Sequence, residues 1–130
     1  MKTRKKILVV DSEIQILHVI SMKLREGNYK VIATQDGLDA LDLAQVEKPD
    51  LIICACRVYR LSGLELCKQL HSIPTTQKIP KLLLTSRGYG LDPERIDAAG
   101  IDHVLNKPFS PRHLKEEVDG MLGTVRAATA

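Results

Sequence analysis

Residues suited to chemistry stand where short apolar runs end. Ile7-Leu8-Val9-Val10 stops at Asp11-Ser12-Glu13, so two carboxylates and a hydroxyl fall within three residues. A strand end of this kind is where open α/β sheets place their chemistry. The run Leu51-Ile52-Ile53-Cys54, bounded by Pro49-Asp50 and followed by a polar loop, reads as a short buried strand of a parallel sheet whose loop lies at the same edge. The residue at its tip is Ala55, which has no functional group. Cys54-x-Cys56 has the spacing of a fragment of a metal or redox site. No second Cys pair or His-x-x-x-His follows at ligand spacing, so small buried core residues explain the thiols better. His18, His71, His103 and His113 are scattered, and surface or helix-end positions account for them more economically than a metal site.

Composition bounds what these residues can serve. The chain has 130 residues, 44% of them apolar, enough for one core and too few for two ordinary domains. Its formal charge of +3 owes much to Lys2, Arg4, Lys5 and Lys6. With only Tyr29, Tyr59, Tyr89 and Phe109 as aromatics and no second basic stripe, that cluster reads as a solvated terminus and not a nucleic-acid arm. Three cysteines placed in or beside regular elements suit a reducing cytoplasm. The opening apolar run is far too short for a signal peptide or a membrane span, so no membrane partner is expected.

The positioning elements follow from pattern. Ser12 or Asp11 is placed to cap a helix on which Ile14, Leu17, Ile20 or Ser21, and Leu24 recur, up to Glu26-Gly27-Asn28. Tyr29 to Thr34 forms a second strand. Asp36-Gly37 opens a helix with Leu38, Leu41, Ala44 and Val46 facing inward, ending before Pro49. Ser62 caps a helix over Gly63 to Ser72 with Leu64, Cys67 and Leu70 or His71 along it. Lys81 to Thr85 is a fourth strand, Asp92 caps a short helix over Pro93 to Ala99, and Ile101 to Leu105 is a fifth strand. Ser110-Pro111 begins a last helix that buries Leu114, Val118 and Met121 or Leu122. Five strands alternating with five helices specify an α/β, doubly wound parallel sheet covered on both faces, with right-handed crossovers. The simplest order, 2-1-3-4-5, sets Asp11 and Ala55 side by side at the switch point. Residues 1–6 form a basic tail, 7–122 the domain, and 123–130 a C-terminal tail or the root of a linker.

From Lys5 to Leu122 the chain resembles the receiver domain of two-component response regulators, the CheY-like family. The resemblance rests on Ile-Leu-Val-Val-Asp-Ser-Glu from Ile7, Pro-Asp-Leu-Ile-Ile from Pro49, Ser-Gly-Leu-Glu-Leu from Ser62, Leu-Leu-Leu-Thr-Ser from Leu82 and Asn-Lys-Pro-Phe from Asn106, in the right order and spacing. It implies a flavodoxin/CheY-like three-layer sandwich. It also implies phosphoryl transfer from a histidine kinase onto an aspartate ending the third strand. Mg²⁺ is held there by that aspartate, two acids after the first strand and a backbone carbonyl. By this resemblance Asp11 matches the first acid, Thr85 the switch hydroxyl, and Lys107 the family's lysine, followed by Pro108 in what is usually a cis peptide. Ser12 replaces the second acid, Ala55 the phosphoacceptor, Val104 the switch aromatic and Tyr59 a loop proline.

A methyl group cannot form an acyl phosphate. With two of three carboxylate ligand positions gone, only Asp11 and Glu13 remain, so Mg²⁺ binding should be weak or absent and no other cofactor is implied. Arg57 is expected to place its guanidinium in the vacated cavity and pair with Asp11, with Lys107 competing. The resulting expectation is a cytoplasmic, non-enzymatic receiver that binds a signalling protein or output domain independently of phosphorylation. A homodimer through the fourth helix, fifth strand and fifth helix, reshaped by Arg87 to Pro93, is a further expectation. Rival readings move the phosphoryl acceptor to Ser12, Ser62, Ser86 or another hydroxyl, use Arg57, Arg60 and Lys107 for anion sensing, or use Cys54 or Cys56 as a thiol sensor.

Overall fold

The computed structural model describes residues 4–86 and 92–123. Its elements run β1 (Lys6–Val10), α1 (Ile14–Glu26), β2 (Lys30–Thr34), α2 (Gly37–Glu47), β3 (Leu51–Ala55), α3 (Gly63–Ser72), β4 (Lys81–Ser86), α4 (Pro93–Ala98), β5 (His103–Lys107) and α5 (Pro111–Leu122). The five strands are parallel in the order β2-β1-β3-β4-β5, as the alternation predicts. Register aligns Val10 with Cys54 and Ala55 with Leu84, which brings the ends of β1, β3 and β4 to one edge.

Successive strand residues face opposite sides, and the sheet uses this to build two cores. Ile7, Val9, Ile53, Leu82 and Leu84 pack with Leu17, Ile20 and Leu24 of α1 and with Leu114 and Val118 of α5. Leu8, Val10, Ile52, Cys54 and Leu83 pack with Ala40 and Ala44 of α2 and with Leu66, Cys67 and Leu70 of α3. All three cysteines are buried and free, which agrees with their reading as core residues. No described helix is long and apolar enough to cross a membrane.

Three local expectations need correction. Neither Ser12 nor Asp11 caps α1: Glu13 holds the cap position without a side-chain bond, because the Ser12 hydroxyl donates elsewhere and Asp11 is turned into the site. On α2 the buried residues are Gly37, Ala40 and Ala44, whereas Leu38 and Val46 are exposed. Gly37 explains the rotation, since a Cβ there would lie 2.3 Å from the Leu61 carbonyl oxygen, so the helix enters tight against the β3–α3 loop. β5 starts two residues later than the apolar run suggests. The Asp102 carboxylate and amide are both bonded to the Lys81 backbone, so Ile101-Asp102 joins to the start of β4 and the ladder begins at His103. Helices α3, α4 and α5 begin at Ser62, Asp92 and Ser110 as their cap residues predict. Residues 87–91, invoked in reshaping the α4 face, lie outside the described residues, as do 1–3 and 124–130.

Candidate functional site

The carboxyl edge gathers Asp11, Ser12 and Glu13 after β1, Ala55 at the end of β3, Thr85 in β4 and Lys107 at the end of β5. Asp11 is fully buried. Its Oδ2 accepts from Lys107 Nζ at 2.8 Å, and its Oδ1 accepts from the Glu13 amide at 2.9 Å. The Lys107 ammonium also lies 3.8 Å from Glu13 Oε2. The peptide between Lys107 and Pro108 is cis.

Ser12 laces the neighbouring loops together. Its hydroxyl and its amide both donate to the Arg57 carbonyl, at 2.9 and 3.4 Å, and its own carbonyl accepts from Gln35 Nε2 at 2.8 Å. The lacing extends outward through the Gly37 amide to the Tyr59 carbonyl, the Tyr59 amide to the Gln35 carbonyl, and an ion pair between Arg60 and Asp36. The Arg60 guanidinium holds the Asp36 carboxyl below its ordinary value, helped by the Asp39 and Leu38 amides. Three loops are therefore tied to one another by hydrogen bonds and an ion pair.

The expected place of Arg57 is overturned. Arg57 is exposed and makes no ion pair among the described residues; only its carbonyl enters the site. The cation beside Asp11 is Lys107, which emerges from β5 at the right depth, whereas the Arg57 side chain leaves the loop toward solvent. Ala55 is buried in the apolar cluster with Val9 and Leu84, and Val58 and Phe109 pack against that cluster. Gly63 permits this approach, since a Cβ there would stand 1.9 Å from the Ala55 carbonyl oxygen.

Thr85 is buried, and its hydroxyl contacts the Cys56 thiol. Burial pushes the Cys56 pKa up, while the Thr85 hydrogen bond and the Lys107 charge oppose the rise. Contact with Cys67, then burial, drives Cys54 well above the ordinary thiol value. Both effects favour the unreactive thiol form. Val104 on β5 and Tyr59 on the β3–α3 loop are both exposed. Ser62 accepts from the Glu65 amide as a helix cap, and Ser86 is exposed at the end of β4.

This geometry fits what comparison with known proteins finds. The family model described as response regulator receiver domain matches residues 7–119. The chain is 40% identical over 120 residues to the alkaline phosphatase synthesis transcriptional regulatory protein PhoP of Bacillus subtilis, covering 91% of this chain and 48% of that protein. It is 30% identical over 119 residues to the polar-differentiation response regulator DivK of Brucella anthropi, covering 92% and 97%. The chain spans about half the length of the first curated relatives it matches. Among solved structures, the chemotaxis response regulator CheY4 of Vibrio cholerae superposes with a TM-score of 0.84 at 29% identity, covering 92% and 100% of the two chains. The receiver domain of sensor histidine kinase PA1611 from Pseudomonas aeruginosa, described with a magnesium ion coordinated in its active-site cleft, gives 0.84 at 26% identity, covering 93% and 99%.

Proposed function

The chain belongs to the response regulator receiver domain family, and from that premise we propose that it is a receiver degenerate at its phosphorylation site, acting as a phosphorylation-independent protein-interaction module. The observation that carries this reading is the pairing at the carboxyl edge: a methyl group at Ala55 beside an Asp11 carboxylate already neutralised by Lys107. Ala55 supplies no nucleophilic oxygen, so the acyl phosphate on which a receiver depends has nowhere to form.

The family's metal does not fit these residues. One oxygen of Asp11 is taken by an ammonium and the other by an amide, and the Arg57 carbonyl already accepts two bonds from Ser12. A hard divalent cation needs several free oxygen ligands, and here it would sit against Lys107. Among the described residues, no group of three or more His, Cys, Asp or Glu is arranged to hold a metal ion. The hydrogen bonds of Ser12, Gln35 and Arg57 hold the loops that a metal would otherwise draw together.

The domain in this reading is not an enzyme. It works in the cytoplasm, and it presents a fixed surface to a signalling protein, an output domain or a second copy of itself through α4, β5 and α5. The experiment is incubation with Mg²⁺ and acetyl phosphate, followed by intact mass and peptide mapping. The expected outcome is an unchanged mass. A stoichiometric phosphoryl adduct would sink the reading, and the mapped residue, with Ser12, Ser62 and Ser86 as the hydroxyls to inspect, would show where the acceptor had moved.

A further inference from the structure

A groove runs between α1 and the β2 end of the sheet. Ile14, His18, Ser21 and Arg25 are spaced four, three and four residues apart, so they form one stripe along the helix. This stripe and Leu17 border a groove of about 320 Å³, closed on its other side by Ala33, Thr34 and Gln35.

β2 ends the sheet and pairs only with β1. The Lys30 amide donates to the Lys5 carbonyl and the Thr34 carbonyl accepts from Asp11, so the alternate residues Val31 and Ala33 turn their backbone groups outward. The Val31 carbonyl meets Arg25 Nη2 at 3.4 Å, a long bond and the one hydrogen bond of that guanidinium among the described residues. Ser21 is buried, and its hydroxyl has no hydrogen-bond partner. A buried hydroxyl without a partner costs stability unless something satisfies it. Ser21 lines a groove that has a guanidinium one helical turn away and no carboxylate in its lining.

We propose that this α1–β2 groove binds a small carboxylate with a compact apolar body. Arg25 offers a planar fork of donors that matches a carboxylate, and Ser21 supplies a further donor. Ile14, Leu17 and Ala33 form apolar walls for the carbon skeleton. One guanidinium suits a single negative charge better than the two of a phosphate, and the apolar walls point the same way. Gln35 lines the groove and also holds the Ser12 carbonyl, so occupancy reaches the β1–α1 loop through one side chain.

The test is a titration of the ¹⁵N-labelled protein with benzoate, benzamide and inorganic phosphate, read by amide shifts. Benzoate should give saturable shifts at residues 14–25 and 33–35, extending to Ser12, with benzamide and phosphate each weaker on the order of tenfold, the loss expected for a missing charge-assisted bond. Arg25→Gln should weaken benzoate by a similar factor. Ser21→Ala, which removes a hydroxyl bonded to nothing in the protein, should weaken it about threefold while the spectrum stays that of a folded chain. A response that does not saturate, that benzamide or phosphate equals, or that survives Arg25→Gln would overturn the proposal.

Discussion

The sheet buries charge at both edges, and the two sites differ in kind. At the carboxyl edge Asp11 is enclosed and Lys107 meets it at 2.8 Å. At the amino edge Lys81 is equally enclosed but forms no ion pair among the described residues: its ammonium donates to the Ile79 carbonyl at 2.9 Å, while the nearby Asp102 carboxylate bonds the Lys81 amide instead. Burial accordingly pushes the Lys81 pKa down, against opposing contributions from Cys67 and Asp102. The clearly displaced lysine thus lies at the edge remote from the family's chemistry. Here the displaced lysine marks uncompensated burial, and it would mislead a search that treated perturbation as a sign of function.

If the Asp11–Lys107 pair anchors the carboxyl edge, Lys107→Ala should have the largest effect of any change considered. It strands a buried carboxylate, at a cost of about 3–5 kcal/mol in urea unfolding. The double change Asp11→Ala with Lys107→Met should recover most of that loss, because a pair replaced by apolar groups leaves no orphan charge. A loss under about 1 kcal/mol for Lys107→Ala, the range of an exposed ion pair, would show that the edge does not depend on it.

Ala55→Asp comes next. It puts a second carboxylate into the apolar cluster beside Asp11, and we expect a loss of about 2–3 kcal/mol. Mg²⁺ should not restore that stability in the single variant. Adding Ser12→Asp removes the hydroxyl's bond to the Arg57 carbonyl and supplies the missing ligand, so the double variant should become more stable on Mg²⁺ addition in thermal melts.

Lys81→Met should stabilise by about 1 kcal/mol near neutral pH, since it removes an uncompensated buried charge with little change in shape. The pH dependence gives a sharper comparison. The folded pKa of Lys81 lies below the unfolded value of 10.5, so between the two the unfolded chain binds more protons. Stability therefore rises with pH through that window, and Lys81→Met should lack the rise. If wild type and variant share one alkaline profile, Lys81 is solvated and the contrast between the edges fails.

Much of this was legible in residue pattern. Helical spacing locates α1, α3 and α5, cap residues fix the starts of α3 and α5, and β-branched runs locate the strands, because burial on a sheet face depends mainly on side-chain type. The face of α2 was not legible. Leu38 and Leu41 outrank Ala40 in hydrophobicity, but the contact of Gly37 with Leu61 fixes how the helix sits, and that contact joins residues 24 apart. The site was legible in membership and not in wiring. Asp11, Ser12, Thr85 and Lys107 converge as expected, yet nothing local to Arg57 says that its carbonyl enters while its guanidinium leaves. The Ser21 groove left no signal at all, since a serine on a helix's inner stripe reads as core until the opposing strand edge is in place.

The smallest effect belongs to the exposed end of the loop lacing, where Arg60 has φ 66° and pairs with Asp36. The Asp36 folded pKa is lowered, first by the Arg60 hydrogen bond, so its stabilising contribution is full above the unfolded value of 3.8 and lost as pH falls through the folded one. The group is exposed and the pair screened by salt, so the acid limb should steepen only slightly. Arg60→Ala and Arg60→Gly remove the same ion pair and should flatten that limb equally. They should differ at every pH by about 1 kcal/mol in favour of glycine, because alanine keeps the left-handed backbone penalty that glycine lacks. Equal stability of the two variants would mean that the loop relaxes out of the left-handed conformation when Arg60 is replaced. The lacing would then depend on the Arg60 side chain, and the bonds of Ser12 and Gln35 would not be sufficient to hold it.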